Sequence, residues 1–86
     1  MIMSDLLQIH KESAYITIDA REAIRQGYHP IPEILKVIEE SPVSTLCEIH
    51  ISHHPQELVA ALEQLGLNVA VVEVQPRHFR VRVVKL

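Results

Sequence analysis

Three stretches of this chain alternate apolar and polar residues with a period of two, and that alternation constrains the fold more than any other feature. Ala14 to Ala20 sets Ala14, Ile16 and Ile18 on one side and Tyr15, Thr17 and Asp19 on the other. Ser44 to Ser52 does the same, with Thr45, Cys47, Ile49 and Ile51 opposite Leu46, Glu48, His50 and Ser52. Phe79 to Val84 sends Phe79, Val81 and Val83 inward and His78, Arg80 and Arg82 outward. Successive side chains of a strand point to opposite faces, so each stretch predicts a strand with one buried face. Val69 to Val74, an almost unbroken apolar run, predicts a further strand, and Gln75-Pro76-Arg77 supplies the turn that joins it to the last.

Helical spacing fills the gaps. Ile31, Ile34, Leu35 and Ile38 recur on one helix face behind Pro30 and Pro32, and Ser41-Pro42 ends the run. A second helix starts at Pro55, buries Leu58, Val59, Leu62 and Leu65, and stops at Gly66 in the left-handed exit position. Between the first strand and first helix, Arg21 to Gln26 predicts a short helical turn led in by Asp19 or Ala20, with Asp19 and Glu22 in capping spacing and Gly27 as the exit. The order is therefore βαβαββ, an α+β two-layer sandwich. Right-handed crossovers set both helices on one sheet face and leave the other open. The expected core is Ile16, Ile18, Ile34, Leu35, Ile38, Ile49, Ile51, Leu58, Leu62, Leu65, Val72, Phe79, Val81 and Val83.

At 86 residues there is room for one domain, expected over 14–86, with 1–13 a tail or short added element. A single cysteine excludes a disulfide framework or a Cys-rich zinc site, and points to a reducing cytoplasm. No signal peptide is expected at the N-terminus, and no stretch nears the about 18 apolar residues of a membrane span. Eleven acids against four bases leave −7 before residue 77, and four bases without an acid leave +4 from residue 77 on, for a total of −3. With a pI near 6.0, a nucleic-acid partner is disfavoured.

The succession Asp19-Ala20-Arg21, Ile24, Gly27, Pro30-Ile31-Pro32-Glu33-Ile34, His53-His54-Pro55 and Phe79-Arg80-Val81-Arg82 resembles the uncharacterised small TusA-like domain family of bacteria. That family carries an acidic residue where His54 stands here. The resemblance implies a four-stranded mixed sheet in the order 1-2-4-3, on the scaffold of the TusA sulfur carriers. Those carriers begin their first helix with Cys-Pro-x-Pro, where this chain has His29-Pro30-Ile31-Pro32. A helix N-terminus lowers a thiol pKa and makes a nucleophilic thiolate, whereas histidine forms no persulfide. Cys47 shares parity with Ile49 and Ile51 and is expected to be buried and inert, so sulfur relay is disfavoured.

Two candidate surfaces follow. Parallel βα units aim both helix N-termini at the strand C-terminal rim, where Asp19, Arg21, His29, Pro30, Pro32, His53 and His54 gather. The open face offers His50, Arg80 and Arg82 as a second. His29, His50, His53 and His54 are candidate metal ligands, but their spacing matches no ligand signature, and no metal or cofactor is expected. No nucleophile elbow or phosphate-cradling loop is present, so a non-catalytic interaction or accessory module with a protein partner is expected, as a monomer or weak dimer. A His-based metal or redox accessory protein is the alternative, and a sulfur carrier the third reading.

Overall fold

The computed structural model describes residues 6–86, and its elements are β1 (Gln8–Glu12), β2 (Tyr15–Asp19), α1 (Arg21–Arg25), α2 (Ile31–Glu39), β3 (Leu46–Ile51), α3 (Gln56–Gln64), β4 (Val69–Gln75) and β5 (His78–Val84). They form an α+β fold around one mixed sheet in the order β1-β2-β3-β5-β4. β2 and β3 run parallel, while β1–β2, β3–β5 and β4–β5 are antiparallel.

Several expectations are corrected among the described residues. The sheet has five strands rather than four, because Gln8–Glu12 pairs with β2 through a hairpin whose turn holds Ala14 at φ 62°. Ala14 is thus an exposed turn residue and not the inward start of a strand. All five residues of β1 are exposed, so no buried face imposes the alternation that marks β2, β3 and β5. The residues 1–5 of the expected tail lie outside the described region. Among the described residues there are three helices, not two, the third being the five-residue α1. Asp19 holds the start of α1 by accepting a hydrogen bond from the Arg21 N–H at 3.0 Å, while Glu22, assigned to a capping box, instead pairs with Arg25 at 2.6 Å.

The inward residues of β2 and β3, with Val81 and Val83 of β5, meet Ile34 and Ile38 of α2 and Leu58 and Leu62 of α3 in one core, all of them essentially fully buried except Ile16 at 5%. The buried apolar residues of each strand share one parity, so the helices cover one face and the other is open. Leu35 and Phe79 are partly buried against this core. Two expected members are not in it. Leu65 caps the end of α3 at 46% exposure, and Leu67, past the left-handed Gly66, takes the inward place. Val72 is 45% exposed because β4 is the sheet edge and Val72 lies opposite Arg80 on the open face. The helix α2 is tied down at its C-terminal end, where the Lys85 ammonium donates to the Glu39 carbonyl at 2.6 Å and the Ser41 hydroxyl to the Val37 carbonyl at 2.7 Å. No helix among the described residues is long and apolar enough to cross a membrane.

Candidate functional site

The left-handed exit of α1 at Gly27 turns the chain back across the end of β3, and Pro30 caps α2 with Ile31 and Pro32 in its first turn. This leaves a cleft of about 250 Å³ between the α1–α2 connection and the β3–α3 connection. Its walls are the apolar Ile24, Pro30, Ile31, Pro32 and Ile51, and Tyr28, His29, His53 and Glu57 complete its lining. Of the rim residues read from the sequence, His29, Pro30, Pro32 and His53 therefore line one concavity. Ile24, Tyr28, Ile51 and Glu57 belong to it as well. Their apolar members look like core in the sequence, and the only signal for them is the placement of Gly27 and Pro30 on either side of Tyr28-His29.

The other rim residues are elsewhere. Asp19 and Arg21 line a separate shallow hollow with Gln8, Glu22 and Arg25, and its charges are mutually satisfied. Arg21 grips Asp19 with two side-chain hydrogen bonds, Nε to Oδ1 at 3.0 Å and Nη2 to Oδ2 at 2.7 Å. The Arg21 guanidinium holds the Asp19 carboxyl below its ordinary range against the opposing effect of burial. His54 lies edge-on to Phe79, ring centroids 5.5 Å apart, and His53 Nδ1 is 3.1 Å from the His54 carbonyl oxygen.

A polar network occupies the open face. Glu48 is only 8% exposed although no helix covers it. Burial pushes its carboxyl upward, but hydrogen bonds from Arg82 and His50 outweigh that, and it stays below the ordinary glutamate range. Arg82 Nε donates to Oε1 at 2.9 Å, His50 Nε2 lies 2.9 Å from Oε2, and His50 Nδ1 lies 2.8 Å from His78 Nε2. Cross-strand registry produces this row, since Glu48 stands opposite Arg82 and His50 opposite Arg80. Parity sets Glu48 on the open face, yet a carboxylate sharing a strand with solvated neighbours gives no sequence signal of burial.

The candidate histidines do not converge. His50 belongs to the open-face row, His29 and His53 to the cleft and His54 to Phe79, and no group of three or more His, Cys, Asp or Glu able to hold a metal ion occurs among the described residues. Cys47 is fully buried, and desolvation raises its thiol pKa, which keeps it protonated and unreactive. No family model, curated protein or solved structure matches this chain.

Proposed function

We propose that the protein is a non-catalytic docking module whose cleft receives an apolar side chain of a protein partner. The cleft itself carries this reading. At about 250 Å³ it holds one bulky side chain, whereas pockets for drug-sized ligands run to about 300–1,000 Å³. An apolar pocket with a polar margin is the form in which anchor residues of protein interfaces are received. His29 and Glu57 offer the margin both signs of hydrogen-bonding group, donor and acceptor. The TusA-like resemblance supports the same role: His29-Pro30-Ile31-Pro32 opens α2 where the sulfur carriers have their nucleophile, so a scaffold lacking the thiol keeps its docking edge. A cytoplasmic partner suits the single reduced cysteine.

Capture from a host extract compares the native chain with His53→Trp, which fills the cleft from an exposed position, and with Arg25→Gln, which lies outside it. The reading expects a partner held by the native chain and Arg25→Gln and lost by His53→Trp. A partner retained equally by all three removes the cleft from the account.

A further inference from the structure

Among the described residues, three buried side-chain nitrogen or oxygen atoms have no hydrogen-bond partner, and two of them, His78 Nδ1 and Arg80 Nε, lie on the same face of β5. Each orphaned polar atom costs free energy, typically ~1–3 kcal/mol. Both belong to side chains that keep some contact with solvent.

The network fixes what these atoms are. An ionised carboxylate only accepts, so His50 Nε2 carries a proton and donates to Glu48. In the neutral pair of rings a second proton lies in the bridge between His50 Nδ1 and His78 Nε2. The one ring nitrogen left bare is His78 Nδ1. A further proton on the pair therefore enters there, whichever ring is assigned the charge. Once it does, His78 Nδ1 and Arg80 Nε are two N–H donors two residues apart on one strand face.

We propose that the His78–Arg80 end of the open face is a binding site for an oxyanion, a carboxylate or a phosphate-like group, that takes up one proton at His78 Nδ1 when it is filled. Such a group offers oxygens to both orphaned nitrogens, which are buried in the empty protein and become reachable as the two side chains turn. The surroundings favour an anion. Facing His78 are Asp19 from β2, already committed to Arg21 of α1, then His50 and the Arg82-paired Glu48 from β3, and Arg80 on β5 itself. On β4 the neighbour is the uncharged Gln75, and Glu73 lies opposite Phe79 on the other face. Burial, then the charge of Arg21, of His50 in its protonated form and of Arg80, lowers the His78 pKa, and an incoming anion opposes that effect. The site is separate from the cleft and does not depend on the docking reading.

Sulfate and acetate, which stay ionised across the range, serve as probes, with His78 followed by ring-nitrogen NMR. Saturable binding is expected that protonates Nδ1 and weakens at least tenfold between about pH 6 and about pH 8, since an obligatory proton changes affinity by up to about tenfold per pH unit. Arg80→Gln, and Arg80→Lys, which keeps the charge but not Nε, are expected to lose most of the affinity while retaining the native amide spectrum. His78→Asn is expected to leave weak binding that no longer varies with pH. Sulfate preferred over acetate points to a phosphate-like ligand and the converse to a carboxylate. The proposal is overturned if neither probe binds saturably, if Arg80→Gln binds as well as the native chain, or if Nδ1 stays bare in the bound form.

Discussion

Replacing Glu48 by glutamine keeps its shape and removes its charge. The amide oxygen still accepts from Arg82, and the amide nitrogen, now a donor, forces His50 to turn Nε2 into an acceptor and to donate from Nδ1 to His78. Every hydrogen bond can be remade, so the loss is the difference between charge-assisted and neutral bonds. That is ~1 kcal/mol for each of two bonds, given ~1.5–3 for charged and ~0.5–1.5 for neutral pairs. Arg82 is 47% exposed against 11% for the Glu48 side chain, which discounts its bond toward the small worth of surface pairs. The expected cost is about 1.5 kcal/mol at neutral pH. For a domain of this size that lowers the melting temperature by about 6–12 °C. The pH dependence has a definite sign. Because the folded carboxyl lies below its ordinary value, its stabilisation is present above the ordinary ~4.3 and is lost as pH falls through the folded value. Thermal melts of the native and Glu48→Gln chains should diverge at neutral pH and converge in acid. A difference within about 2 °C at neutral pH, or one that persists unchanged in acid, refutes a buried, charge-assisted network.

Leu62 is fully buried against the sheet, so Leu62→Ala should cost ~2–5 kcal/mol, read by urea denaturation, and an unchanged midpoint would sink the packing of α3. Cys47 should resist alkylation in the folded state and accept no persulfide sulfur from a cysteine desulfurase with labelled cysteine; retained label restores the carrier reading. His29→Cys sets an exposed thiol next to the start of α2 and should alkylate faster than Cys47, which mass spectrometry of the single-labelled product decides.

What was legible in the sequence follows from which elements bury one face. β2, β3 and β5 alternate because a core lies on one side of them, and their boundaries fall close to those read from parity. β1 has no buried residue and left no pattern. β4 misled in a different way: its valines read as a covered strand, yet Val71, Val72 and Val74 are 40–46% exposed on the sheet edge. β-branched residues suit a strand whether or not anything covers it. The rim was legible as a place, from the strand and helix order, but not as a site. Asp19 and His29 sit at the same edge by topology, and only the path of the chain through Gly27 to Pro30 decides that His29 joins the cleft while Asp19 turns to Arg21. The open-face row was visible as parity, whereas its hydrogen bonds depend on the Glu48–Arg82 registry, which no local pattern encodes.

The docking cleft is tested most directly by an NMR titration with N-acetyl-leucinamide and N-acetyl-tryptophanamide, apolar side chains on minimal backbones. The account predicts saturable shifts of the Ile24, Ile31 and Ile51 methyl groups and of the Tyr28, His29, Ile31 and Glu33 amides, with His53→Trp abolishing them. Shifts confined to the open face, or none at millimolar concentration, would contradict it.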